Sequence, residues 1–303
     1  MMWPLHSMLF IPAHKIDWIR TVARFKPDSV VIDLEDSVPP AQKLAARGTC
    51  REGIGMLKEM GIPAFVRINA WPEGGQDDVL AVATPGFSGV MLPKAHDVEQ
   101  IRALDRTLSY AEGANGLPFG SVAIMPLPET SPGMVDAREM AAASTRCRGV
   151  IGIVGGVVEG DVARAAGFRP TVEGTEQLYL ASKMVLDSRA GGALYPMSSI
   201  IGTRLDDHDF VRRLCIRAKS LGFTGAVLIH PSHVAIANDV FAPTPEEVEY
   251  YGGVIAAMEA GEKSGDGAVR YRGLMIDYAM LPHAQSVVRE AKRRGIAPAG
   301  APK

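Results

Sequence analysis

Ser29-Val30-Val31-Ile32-Asp33-Leu34-Glu35-Asp36-Ser37-Val38 passes from an apolar, β-branched run straight into three carboxylates, with only Leu34 between them. Pro27-Asp28 precedes the stretch and Pro39-Pro40 ends it. A short Val/Ile run without polar alternation reads as a strand covered on both faces, as in a parallel α/β sheet. Asp33, Glu35 and Asp36 then fall at its C-terminal end. Carboxylates are costly to bury there unless a cation or hydrogen-bond donors meet them. The C-terminal ends of strands are also where parallel α/β folds build their sites. A solvated acidic loop, or an N-cap for the next helix, is the plainer alternative.

Working outward, similar runs recur along the chain. Met8 to Pro12 precedes the acidic strand. Ala64 to Asn69, Gly89 to Lys94, a run starting at Ser121, Gly149 to Gly155, Ala193 to Ile201 and Gly225 to His230 follow it. Segments with helical spacing separate most of them, among them Leu44 to Met60, Val98 to Leu108, Val135 to Ala143, Gln177 to Arg189 and Asp209 to Leu221. Eight short strands alternating with helices predict a (β/α)8 TIM barrel, with a doubly wound open sheet as the competitor. No Gly-x-Gly-x-x-Gly follows the first strand, which argues against the dinucleotide-binding version. Pro243-Thr244-Pro245-Glu246-Glu247 opens a further helix, Lys263 to Gly267 is a polar turn, and a last helix runs from Pro282 to Arg294. Residues 1–239 therefore read as the barrel and 240–303 as a helical appendage or lid.

The 303 residues, 47% hydrophobic and 22% charged, suit a globular protein with a sizeable core. A formal charge of −2 offers no basic field for nucleic acid or a membrane surface. Cys50, Cys147 and Cys215 have neither disulfide-framework nor metal-ligand spacing, and there is no signal-like start or membrane-length apolar run, so the expected location is the cytoplasm.

In a barrel, the polar residues that end the strands share one address. Glu35 and Asp36 follow the second strand, Arg67 and Asn69 end the third, Lys94 ends the fourth and Glu129 follows the fifth. Asp161 lies in the Gly-rich loop after the sixth, and His230 ends the eighth. Glu129 and Asp161 suit a hard divalent cation that keeps waters for a substrate. Arg67 suits a substrate carboxylate or a developing oxyanion. Each has a bland counterpart: Arg67 as a structural partner of Glu35, Lys94 as a solvated loop charge, His230 as a turn cap. No His/Cys cluster points to zinc.

These residues belong to motifs that resemble the citrate lyase β-subunit-like family, within the wider aldolase/citrate lyase superfamily. The matches include Ser7-Met8-Leu9-Phe10-Ile11-Pro12, Asp33 through Val38, Val66-Arg67-Ile68-Asn69, Leu92-Pro93-Lys94 and Pro128-Glu129-Thr130. Further on come Ile229-His230-Pro231, Phe241 through Glu247 and Gly273-Leu274-Met275-Ile276-Asp277. The resemblance implies Mg²⁺ held by Glu129 and Asp161, and Arg67 on the substrate's oxygen. Glu35 and Asp36 would orient Arg67 and metal-bound water. His6, Lys94 and His230 would line the substrate pocket. It also implies a carbon–carbon lyase of citryl, malyl or citramalyl thioesters, acting on an acyl-CoA or acyl-carrier thioester and a 2-oxo acid. Asp277 would transfer the proton from a lid over a neighbouring subunit, in a homo-oligomer (trimer or hexamer).

The departures are His6 where the family usually has Arg, Ala13 for Gly, Ser232-His233 for Gln, and a longer loop that makes Glu159 a competitor of Asp161. They leave two alternatives: a metal-dependent aldolase on a free 2-oxo acid, and a non-catalytic or acyl-carrier-bound subunit of a larger lyase complex.

Overall fold

The computed structural model describes residues 3–300. The chain divides into two compact units at Phe241/Ala242. In the first, eight parallel strands follow one another: β1 (Ser7–Pro12), β2 (Ser29–Asp33), β3 (Ala64–Arg67), β4 (Phe87–Leu92), β5 (Ala123–Pro126), β6 (Ile151–Ile153), β7 (Met197–Ile200) and β8 (Gly225–Leu228). Their order in the sheet is β5-β4-β3-β2-β1-β8-β7-β6, with helices between successive strands. This is the (β/α)8 barrel, and β1 paired with both β2 and β8 excludes the order of a doubly wound sheet. β7 is shorter than its sequence run: Ala193 to Tyr195 lie before it, where the Tyr195 amide donates to the Arg148 carbonyl at 2.8 Å. The segment read as one helix, Val135 to Ala143, is broken into Ser131–Val135 and Ala137–Ala142.

Period-two alternation sorts the side chains into two cores. Val30 and Ile32 face outward and pack with residues of the surrounding helices such as Ile54, Leu57, Ile101 and Leu104. Val31, Phe65, Met91, Met125, Ile151, Met197 and Val227 point inward and fill the barrel. Burial on both faces is why the strands are continuous apolar runs rather than alternating ones.

The ring has one seam. β5 and β6 share no ladder; Cys147 makes a single parallel bridge with Ile124 just before β6 begins. The Ile124 amide donates to the Arg146 carbonyl at 2.9 Å, and the Arg148 amide donates to the Ile124 carbonyl at 3.1 Å. Beside the bridge, buried Arg146 donates to both oxygens of buried Glu112 at 2.6 and 2.7 Å and to Asp105 at 2.6 Å. Burial raises the Glu112 pKa, but Arg146 and the Val122 and Gly120 amides outweigh that and hold it below the usual carboxylate range.

The second unit contains the helices Pro245–Ser264 and Leu281–Arg294 and a two-stranded hairpin, β9 (Ala268–Tyr271) and β10 (Leu274–Asp277). Thr244 and Glu247 form a reciprocal capping box at the start of the longer helix. Arg272 and Gly273, both at positive φ (46° and 84°), make the hairpin turn. Val254, Met258, Ile276 and Ala284 form this unit's core.

Candidate active site

On β2 and β3 the inward row continues past the apolar barrel interior into charge. On β2, Val31 is followed two and four residues later by Asp33 and Glu35; on β3, Phe65 is followed by Arg67. The β2/β3 register sets Asp33 directly beside Arg67. Arg67 Nε donates to Asp33 Oδ1 at 2.6 Å and Nη2 to Oδ2 at 2.7 Å, a two-pronged grip. Arg67 Nη1 lies 3.0 Å from Glu35 Oε2, and the guanidinium sits 4.8 Å over the Phe10 ring centre. Asp33 also accepts from the Glu35 and Ser37 amides at 3.0 and 3.1 Å and from the Ser37 hydroxyl. Burial pushes the Asp33 carboxyl up, but Arg67, Ser37 and the Glu35 amide together hold it below its ordinary value. Burial likewise opposes the charge on Arg67, which Asp33, Glu35 and Glu129 more than restore.

Lys94, just past β4, adopts a positive φ of 47°, an uncommon conformation for a residue with a side chain. There its amide donates to Glu129 Oε2 at 3.1 Å, while its ammonium meets Glu35 and lies 3.3 Å from Asp36. Lys94 is thus more than a solvated loop charge: it ties the β2 acids to the carboxylate after β5. Burial raises the Glu35 pKa, with the Asp36 charge adding to it and Arg67 and Lys94 opposing. Burial pushes Glu129 up to about 7, the nearby charge of Glu35 contributing and the Lys94 amide, Arg67 and Lys94 opposing.

Asp161 opens the helix Asp161–Ala166 after β6 and pairs with Arg164. Glu129 and Asp161 line one small cavity, together with Leu127, Met134, Ile153 and Ser199. Exposed Glu159 is not part of that lining. Two carboxylates beside a cavity fit a hydrated hard cation such as Mg²⁺, which takes one or two protein carboxylates and leaves its other positions to water and substrate. Among the described residues, no group of three or more His, Cys, Asp or Glu is placed as a closed metal cage.

Four polar residues have other surroundings. His6 precedes β1, at the opposite end of the barrel from the mouth. Its amide donates to Asp28 at 2.7 Å and its buried ring faces Phe241. Six strand residues at about 3.3 Å each separate it from the Arg67 end. The expectation that His6 contacts substrate is therefore corrected: position along the strand, not residue type, decides which end a side chain serves. Asn69 turns away to Asp78, bonding it through amide and side chain at 2.8 and 2.7 Å. His230 caps the turn Pro231–His233, accepting from the Ser232 amide at 3.3 Å, and also borders a cavity beside β1. Asp277 ends β10 in the second unit, where it accepts the Ala279 amide at 2.9 Å. Around it Leu274, Met275, Tyr278 and Met280 are exposed.

Asp33 is the residue that sequence reasoning passed over. Strand alternation places it on the inward row of β2, and the β2/β3 register then sets it beside Arg67.

The comparisons with known proteins agree in class. The family model described as HpcH/HpaI aldolase/citrate lyase matches residues 6–231. The chain is 31% identical over 290 residues to a citrate lyase subunit beta-like protein of Deinococcus radiodurans, covering 94% of this chain and 96% of that one. It is 30% identical over 310 residues to an L-malyl-CoA/beta-methylmalyl-CoA lyase of Cereibacter sphaeroides, covering 95% of each. Among solved structures, CitE of Mycobacterium tuberculosis, in complex with magnesium, acetoacetate and coenzyme A, superposes with a TM-score of 0.70 at 27% identity, covering 95% of this chain and 98% of that one.

Proposed function

The chain belongs to the HpcH/HpaI aldolase/citrate lyase family, and on that premise we propose that it is a Mg²⁺-dependent carbon–carbon lyase of a 3-hydroxyacyl thioester of coenzyme A. The observation that carries the reading is the mouth of the barrel: Arg67 locked on Asp33, beside a cavity that Glu129 and Asp161 share. The malyl-CoA lyase relative and the magnesium- and coenzyme A-bound CitE structure support the cation and the thioester.

Glu129 and Asp161 would hold the cation, which when bound supplies a Lewis-acid charge that polarises the carbonyl of the 2-oxo acid. Arg67 binds the same oxygen and shares the negative charge that grows on it as the carbon–carbon bond forms; in cleavage it stabilises the alkoxide that collapses to the carbonyl. Asp33 and Glu35 fix the direction of the guanidinium, so little reorganisation accompanies the reaction. Lys94 balances Glu35 and Asp36 and, through its amide, orients Glu129. Phe10 under Arg67 also lines a cavity of about 370 Å³ with Leu9, Trp18, Phe25 and His230. That apolar wall suits the arm of an acyl thioester.

Asp277 is the proton-transfer residue of this proposal: it removes a methyl proton of the acyl thioester to give the enolate, while water at the mouth protonates the new alkoxide; in cleavage water takes the hydroxyl proton and protonated Asp277 delivers its own to the enolate carbon. The exposed Leu274, Met275, Tyr278 and Met280 around it suit docking on a second copy of the chain, so the proposed enzyme is a homo-oligomer with shared sites. The test is a panel of coenzyme A thioesters with Mg²⁺, followed by mass spectrometry in deuterated water. The expected result is cleavage or condensation of at least one malyl- or citramalyl-type thioester, with exchange of the acyl methyl protons abolished in Asp277→Asn. Turnover of a free 2-oxo acid without any thioester would replace the proposal with the aldolase reading.

A further inference from the structure

Three histidines meet where the loop after β7 packs on the loop after β8. The His233 ring centre lies 5.5 Å from that of His230 and 6.2 Å from that of His208. Ser232 Oγ joins the outer two, 2.7 Å from His230 Nδ1 and 3.2 Å from His208 Nε2. The hydrogen bonds assign the protons. His230 Nδ1 accepts the Ser232 amide, so it is the bare nitrogen of that ring. His233 Nε2 lies 3.1 Å from the Leu205 carbonyl, which can only accept, so Nε2 carries the hydrogen. Nδ1 of His233 is therefore bare as well, and it is buried with no hydrogen-bond partner. The trio is not a metal cage, since among the described residues no three such groups are placed to hold an ion.

These bonds join two loops that wall one cavity: Leu205 comes from the first and His230 and Pro231 from the second, facing Trp18, Thr21, Arg24 and Phe25. We propose that the histidine trio is a proton-released latch, holding the two loops together when neutral and letting them part when His233 is protonated. In place, a proton on His233 Nδ1 would bury an N–H with no acceptor beside two other imidazoles. Charged groups on the surrounding elements do not relieve this. Arg24 is cationic, Arg204 and Asp206 pair with each other, and Arg212 pairs with Asp239. Asp207 is taken up by the Phe210 amide, and Asp209 is exposed.

Burial first, then the charges of His230 and His208, depress the His233 pKa below its ordinary 6.5, against the Leu205 bond. A histidine kept neutral by the fold contributes its stability in full above about 6.5, and loses it as pH falls below that value. The inference rests on the barrel loops alone and is independent of the reaction proposed above.

Hydrogen exchange read by mass spectrometry tests it, at about pH 7.5 and about pH 5.5, corrected for the intrinsic pH dependence. In the wild-type chain, peptides over 203–209 and 229–235 are expected to lose protection about tenfold at the lower pH, while the helix Val98–Asn115 stays protected. His233→Gln keeps a donor for the Leu205 carbonyl but cannot titrate, and should abolish the change. Unchanged protection in the wild type, the same opening in His233→Gln, or equal deprotection of the Val98–Asn115 helix would each overturn the latch.

Discussion

Glu129→Gln should make the metal-free protein more stable, not less. The Glu129 carboxyl is moved from its ordinary 4.5 to about 7, first by burial and then by the charge of Glu35. At about 1.4 kcal/mol for each pH unit, ionising this group in place costs roughly 3 kcal/mol. A raised carboxyl pKa means that the folded chain holds a proton the unfolded chain has released. Its stabilisation is therefore complete below about 4.5 and lost as pH rises to about 7. At about pH 8 without metal the penalty is fully present, and a neutral isostere that keeps an acceptor for the Lys94 amide removes it. Urea denaturation at that pH should show Glu129→Gln more stable than wild type by about 2–3 kcal/mol, with the two converging near pH 4.5. Adding Mg²⁺ should reverse the order, since a cation bound at the ionised carboxylates stabilises only the wild type. The reasoning fails if the variant is destabilised at about pH 8 in chelator, or if Mg²⁺ raises its midpoint as much as that of wild type.

Other substitutions probe the remaining supports. Asp33→Ala leaves the mostly buried Arg67 without its two-pronged partner and should cost about 3 kcal/mol; a loss under about 1 kcal/mol in denaturant would show that Glu35 alone suffices. The depressed pKa of Asp33 means that its contribution is present above the ordinary carboxylate value of 3.8 and lost as pH falls through its lower folded value, which an acid-unfolding curve of Asp33→Asn against wild type will register. Arg146→Met strips the buried Glu112 carboxylate of its cation and should destabilise by roughly 3 kcal/mol, with hydrogen-exchange protection lost first around Ile124 and Cys147. His6→Gln should leave the KM for the 2-oxo acid and its pH profile unchanged, because His6 lies at the far end of β1; a tenfold rise in KM would restore it to the pocket.

The barrel was legible because most strands are continuous β-branched or apolar runs, as burial on both faces requires. The cluster at the mouth followed from that, since the chain leaves every such strand at the same end. What the runs could not convey was pairing. Asp33 and Arg67 are separated by a whole helix in sequence, and only the β2/β3 register makes them neighbours. The hairpin β9–β10 was also missed, because Arg272-Gly273 is not among the strongest turn signals, although Gly273 and the apolar residues on either side were there to be weighed. His6 misled for a related reason: a motif gives the residue but not the end of the strand that it occupies. Two of the candidate residues also act as local caps. His230 and Asp277 each accept a backbone amide two residues on, whatever else they do.

The seam between β5 and β6 has a bearing on the spacing of the two carboxylates at the mouth. Glu129 follows β5 and Asp161 follows β6, so the two carboxylates proposed to hold the cation stand on opposite lips of the one gap that no ladder closes. Elsewhere in the ring, changing the distance between neighbouring strand ends would mean stretching several ladder bonds at once. Here the two sides are tied upstream by the Ile124–Cys147 bridge and the Arg146 clasp, and at the mouth by the Ser131 hydroxyl, which donates to the Ala165 carbonyl at 2.5 Å. Single bonds rather than a ladder thus join these two strand ends. In the proposed enzyme the distance between the two carboxylates would then depend on these few bonds, Ser131 to Ala165 first among them.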